Sequence, residues 1–83
     1  MGAPETTEHI LQFFAFAHLP PHLQAVSRPF AVLAHDMVGK PLADVLPDPS
    51  RALPRNPERT VALRKLLESK DAAVRALLAK DNV

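Results

Sequence analysis

The chain has 83 residues, no cysteine, and ten basic against nine acidic residues, a net charge of +1. That length suits one domain, and the missing cysteines remove disulfides and thiolate metal sites together, leaving oligomerisation as the common way to stabilise so small a core. The charge balance lacks the basic excess that DNA or RNA polymers require, no apolar run approaches the roughly 18 residues of a membrane span, and "MGAPETTEH" has neither the basic start nor the apolar centre of a signal peptide, so a soluble, cytoplasmic protein is expected.

Prolines divide the chain. The first segment, "TTEHILQFFAFAH", has apolar residues at 10, 11, 13, 14 and 16. That spacing predicts a short helix over about 7–14, followed by extended chain before Pro20, because a residue preceding proline is pushed out of the helical region. Three of the four phenylalanines stand in this stretch. They either plug a core or offer a surface on which something flat stacks.

The middle segment carries Leu23, Val26, Phe30, Leu33 and Met37 at alternating spacings of three and four, a coiled-coil-like seam. Pro29 lies within it and either kinks one helix or marks a restart capped by Ser27. The unbroken seam favours one kinked helix over about 21–38, ending at Gly39. "GKPLADVLPDPSRALPR" follows. It is too long for a tight turn and too rich in proline for a long helix, with room for one short turn in "PLADVL".

The last segment opens with Asn56 as a cap, Pro57 at the first helical position and Glu58 at the positive end of the helix dipole. Leu63, Leu66, Leu67, Val74, Leu77 and Leu78 recur at helical spacing, predicting a helix over about 57–80 with Lys70 near the centre of its apolar stripe. Two complementary seams predict an antiparallel helical hairpin, an all-α fold with a short N-terminal helix in front.

Catalytic motifs are missing. No cysteine nucleophile or glycine-rich phosphate loop is present, and no serine stands in a recognised nucleophile motif. Asp36, Asp44 and Asp48 near the loop read as a possible carboxylate pair or, more plainly, as solvated side chains. His18 and His22 are four apart, but the prolines between them spoil the helix that would align them on a metal. On the last helix, Arg64–Glu68 and Asp71–Arg75 fit surface pairs one turn apart. The sharper alternative makes Arg64 or Arg75 a phosphate fork at a subunit junction. Lys70 in an apolar stripe either snorkels to an edge or meets an anion between subunits. Phe13, Phe14 and Phe30 suit a core. Phe16, flanked by alanines where the chain straightens and two residues before His18, suits stacking on a base.

The segments "HLPPHLQAVSRPFAVLAHDMV" and "LPRNPERTVALRKLLESKDAAVRALL" resemble a family of small phage proteins, the anti-CBASS sponges, which are related to the anti-Thoeris sponges. Such proteins sequester the cyclic oligonucleotides of bacterial immune signalling without cleaving them. The resemblance implies a homohexamer in the cytoplasm of the infected host, with cyclic dinucleotides held between pairs of subunits and cyclic trinucleotides where three meet. It implies no enzyme activity and no cofactor. Phe16 falls where the family has a tyrosine that stacks on a base, Arg28 near an expected basic residue, and Ala31 where a lysine meets phosphate. Arg28 or His35, on the same flank, is the available substitute. The candidate ligand-binding residues are Phe16, His18, Arg28, Thr60, Arg64 and Arg75. The rival reading is a small helical adaptor or structural phage protein that binds another protein through its apolar seam.

Overall fold

The computed structural model describes residues 9–79. Among them the fold is all-helical, without strands, and two long helices form a hairpin-like pair. Helix α1 spans Pro21–Val38 and helix α2 spans Pro57–Leu78. A 3₁₀ helix, His9–Phe14, precedes them, and a single 3₁₀ turn, Pro49–Arg51, lies between them. Residues 7, 8 and 80 of the expected helices lie outside the described residues.

The N-terminal element is a 3₁₀ rather than an α-helix. With three residues per turn, residues i and i+3 eclipse, so Leu11 and Phe14 stack on one edge and both are buried. The chain beyond it is not extended. Leu19 N–H donates to Phe16 O at 3.0 Å, closing a turn over residues 16–19. Two prolines then open α1, where a missing N–H costs no intrahelical bond. The Gln24 amide reaches back and donates to the carbonyls of Leu19 (2.7 Å) and Ala17 (3.3 Å), so the turn and the helix start are one unit.

Pro29 lies inside a continuous α1, at the cost of the bond its N–H would have made to Ala25 O. The helix ends at Gly39, whose φ of 83° lies in the left-handed region that glycine alone enters freely. Lys40 N–H bonds His35 O at 3.0 Å and Gly39 N–H bonds Asp36 O at 3.2 Å, the paired pattern of a Schellman cap. At the start of α2, Asn56 Oδ1 accepts from Arg59 N–H at 2.9 Å.

The buried face of α1 differs from the expected seam. Its buried residues are Leu23, Ser27, Ala31, Ala34, Asp36 and Met37. Val26 and Phe30 are half-buried and Leu33 is exposed. Small side chains, not large ones, occupy the centre. Ala31 and Ala34 join Leu11, Phe14, Met37 and Leu63 in one core cluster. Two alanines in line leave room for a phenyl ring, and the fully buried Phe14 takes it. The stripe on α2 is likewise shallow. Leu63 is its one buried leucine, Leu66, Leu67, Val74 and Leu77 are half-buried, and Leu78 is 62% exposed.

The segment between the helices is folded down by one carboxylate. The Asp36 side chain is only 5% exposed, and its two oxygens are both used. Oδ1 accepts from Asp48 N–H at 2.9 Å and Oδ2 from Arg51 Nη1 at 3.1 Å. Asp48 in turn caps the 3₁₀ turn, accepting from the Ser50 N–H at 2.9 Å and the Ser50 hydroxyl at 2.8 Å. Leu53 N–H then satisfies Met37 O at 3.0 Å, an end carbonyl of α1. Arg59 Nη1 reaches Leu53 O at 3.4 Å and ties the segment to α2. The expectation of free loop carboxylates is corrected for Asp36 and Asp48; Asp44 is exposed.

Asp36→Ala removes two charge-assisted bonds, each worth about 1.5–3 kcal/mol. Arg51 is 55% exposed, so water takes over much of its share. We expect a net loss of about 2–3 kcal/mol in urea unfolding. Asp36→Asn keeps an acceptor for Asp48 N–H and should cost about 1 kcal/mol. The Ser50 hydroxyl and N–H, aided by Arg51, hold the Asp48 carboxyl below its ordinary value. A carboxylate depressed on folding stabilises above its unfolded pKa, about 3.9 for aspartate, and that contribution disappears as pH falls through the lower folded value. Wild type should therefore lose more stability than Asp48→Asn on acidification below about pH 4, measured by melts across that range.

Candidate functional site

The stretch from Gln12 to Leu19 separates two concavities that meet at Ala15, which lines both. The first has a volume of about 320 Å³. Its floor is Leu11 and Phe14 from the 3₁₀ helix, and Phe16 and Ala17 follow from the turn. Arg28 and His35 border it from α1, and Leu42, Ala43 and Val45 form the far wall. Arg28 and His35 are seven residues apart, two helical turns, so they share one face about 10.5 Å apart along the axis.

The far wall is a two-residue hairpin. Leu42 and Val45 exchange both backbone bonds at 2.9 Å, and Ala43 sits at φ 52°. A positive φ at the first central residue suits the right-handed twist of a hairpin but favours glycine. An alanine held there costs about 1–2 kcal/mol, which the surrounding bonds must offset. His35 supplies part of that support. Its Nδ1 lies 3.1 Å from Pro41 O and 3.3 Å from Lys40 O, at the root of the hairpin.

The second concavity, about 430 Å³, lies on the other side of the stretch. Gln12, Phe13, His18 and Leu19 face Lys70, Asp71, Val74 and Arg75 of α2 across it. Phe13 is 53% exposed and stands edge-on to His9, ring centroids 6.0 Å apart. Lys70 is drawn in to 13% side-chain exposure and pairs with Asp71 at 2.9 Å. The expected Asp71–Arg75 pair is therefore replaced by Lys70–Asp71. Among the described residues Arg64 and Glu68 do not pair, and Arg75 makes no ion pair.

The sequence-derived candidates are thus divided. Phe16 and Arg28 line the first concavity, and His18 and Arg75 the second. Thr60 and Arg64 are exposed near the start of α2 and line neither. The expected division of labour among the phenylalanines changes as well. Phe14 alone is sealed in the core, Phe16 is half-buried against it, and Phe13 is the ring most open to solvent. A 3₁₀ helix explains this, since Phe13 is one residue out of step with the Leu11–Phe14 edge. Ala31 is 1% exposed and belongs to the core, so nothing beyond the protomer touches it; Arg28 and His35, about one turn to either side, reach the first concavity. His35 and Phe13 are the site residues that spacing alone passed over as principal candidates. Among the described residues no group of three or more His, Cys, Asp or Glu side chains is placed to hold a metal, and no helix is long and apolar enough to cross a membrane.

Burial orders the three rings. Phe14→Ala should cost about 3–5 kcal/mol, Phe16→Ala less, because its ring is only partly buried against the core, and Phe13→Ala at most about 0.5 kcal/mol. Chemical denaturation of the three variants checks that order.

No protein-family model matches this chain, and no curated protein or solved structure matches it.

Proposed function

We propose that the protein binds cyclic oligonucleotides and sequesters them without cleavage, as an immune-evasion sponge acting in the cytoplasm of a phage-infected bacterium. One observation carries the reading. Each of the two concavities brings an aromatic ring together with a guanidinium: Phe16 with Arg28, and Phe13 with Arg75. A flat base stacks on the ring, and a phosphate takes the fork of the arginine. A cyclic nucleotide presents both groups at a fixed separation, with little conformational entropy left to lose on binding.

The sizes support assembly. A concavity of about 320 Å³ lies at the small end of ligand pockets. It fits a base better than a whole cyclic dinucleotide, so the remainder would be covered by a second subunit. The protomer is also elongated. Its radius of gyration is 13.6 Å, against about 12 Å for a compact domain of this length. Val61, Leu78 and Leu46 are exposed, surface that a homo-oligomer, a hexamer by the resemblance, would cover. The same exposure is what the adaptor reading has in its favour. The seam it invoked, however, has Leu23 and Met37 buried inside the protomer.

Thermal melts against a panel of cyclic di- and trinucleotides test the proposal. At least one ligand should raise Tm by several degrees, the protein should scatter as a multiple of its 9.1 kDa chain, and chromatography after denaturation should return the ligand intact. Arg28→Ala and Arg75→Ala should each weaken binding about tenfold or more, with a steeper effect at low salt. A monomer that no ligand stabilises would leave the adaptor reading.

A further inference from the structure

His35 is tied to the backbone and also lines the first concavity. Its Nδ1 faces the carbonyl oxygens of Lys40 and Pro41, at 3.3 and 3.1 Å. A carbonyl oxygen only accepts, so Nδ1 carries a proton and donates. In a neutral imidazole the other nitrogen, Nε2, is then a lone-pair acceptor with no proton of its own. The same residue lines the first concavity beside Phe16 and Arg28. The backbone therefore fixes both the tautomer and the orientation of a polar group at the rim of an otherwise apolar cleft.

Resting on that reading of the cleft, we propose that His35 is its base-reading residue: Nε2 accepts a hydrogen bond from a ring N–H or amino group of a nucleobase stacked against Phe16, while Arg28 takes the phosphate. The assignment follows from complementarity. A phosphate offers only acceptors, and a neutral Nε2 offers it another acceptor. The guanidinium of Arg28 is always charged and presents only donors. A base edge supplies the N–H that Nε2 lacks. A ring edge without that donor leaves the acceptor unmet in a desolvated cleft, and such unmet polar groups are what give hydrogen-bonding sites their discrimination. The anchor at Nδ1 also fixes the root of the Leu42–Val45 wall, so reading and wall position depend on one ring.

The sign of the pH dependence separates this contact from its alternative. Protonating Nε2 turns the acceptor into a donor, which weakens a bond from a base N–H and strengthens one to a phosphate. Among the described residues, Arg28 is the one charged side chain that lines the cleft beside His35. The 3₁₀ helix, the following turn and the hairpin contribute apolar side chains there, and Lys40 faces His35 with its carbonyl.

Calorimetric titration with cyclic diadenylate and cyclic triadenylate, at pH 8 and pH 5.5, tests the proposal on wild type, His35→Asn and His35→Gln. Asparagine keeps a donor near Nδ1 and drops Nε2, whereas glutamine keeps an acceptor near Nε2 and drops the anchor. We expect wild-type affinity to fall on acidification. His35→Asn should bind roughly 3- to 10-fold more weakly at pH 8, the equivalent of one neutral hydrogen bond, with unchanged Tm and a flatter pH profile than wild type. His35→Gln should retain more affinity than His35→Asn. If wild type binds but His35→Asn binds equally well, or if acidification tightens wild-type binding through His35, the base-reading role is overturned and the sponge reading stands. If wild type binds neither ligand at either pH, nor any other member of the cyclic di- and trinucleotide panel, both fall. Should the variants misfold, nitrogen NMR of the wild-type imidazole decides the matter. The Nδ1–H tautomer with an Nε2 shift on ligand addition supports the role, and the opposite tautomer overturns it.

Discussion

One buried carboxylate holds this small fold in its shape. Asp36 projects from the last turn of α1 into a site where its two oxygens meet the Asp48 N–H and the Arg51 guanidinium. An ionised group with 5% exposure would be costly to bury alone; here both sides of it are satisfied. The consequence extends well beyond the pair. With residues 48–51 fixed against α1, Leu53 reaches the end of that helix and Arg59 reaches Leu53. A stretch that composition alone describes as a proline-rich loop becomes a strap joining both helices. The hairpin at Leu42–Val45 is held between two fixed points, Gly39 and Asp48, and so can serve as the wall of a cleft.

The N-terminal stretch has the complementary task. A hairpin of two helices with alanines at the centre of its interface has a gap at its open side. Leu11 and Phe14 fill that gap. Filling it from one edge of a 3₁₀ helix leaves the adjacent residues turned elsewhere, Phe13 to one side and Phe16 to the other. Core formation thus creates the two concavities as a by-product. The same short segment plugs the core and supplies an aromatic ring to each cleft. That answers why so few aromatics are concentrated in so few residues.

Much of the local structure was legible. Asn56 and Pro57, Gly39, and the pair Pro20–Pro21 are signals whose mechanism is contained within a few residues of backbone, and each does in the structure what its chemistry dictates. The candidate site was legible in part. That an aromatic in "FFAFAH" stands on the surface near basic residues was readable. Which phenylalanine went with which cation was not, because that depends on a 3₁₀ rather than an α-helical register over six residues. His35 was visible only as a cation near Arg28. Its tie to the carbonyls of Lys40 and Pro41 exists because the Schellman cap turns the chain back on itself.

Sequence by itself determined the helical class, the starts of the two long helices and the stop at Gly39, and the lack of any apolar run that could span a membrane. These follow from backbone preferences and from hydrophobic period, both local properties. Tertiary structure alone decided which face of each helix is covered. The period of the large side chains pointed to Val26, Phe30 and Leu33 on α1, but close helix packing selects for fit, and the small residues Ser27, Ala31 and Ala34 took the centre. It also decided that Asp36 is a buried tie and not a solvated loop acid, and that Asp71 pairs with Lys70 and not Arg75. Long-range partners are set by which atoms the fold brings within hydrogen-bonding distance, and no spacing along the chain encodes that distance.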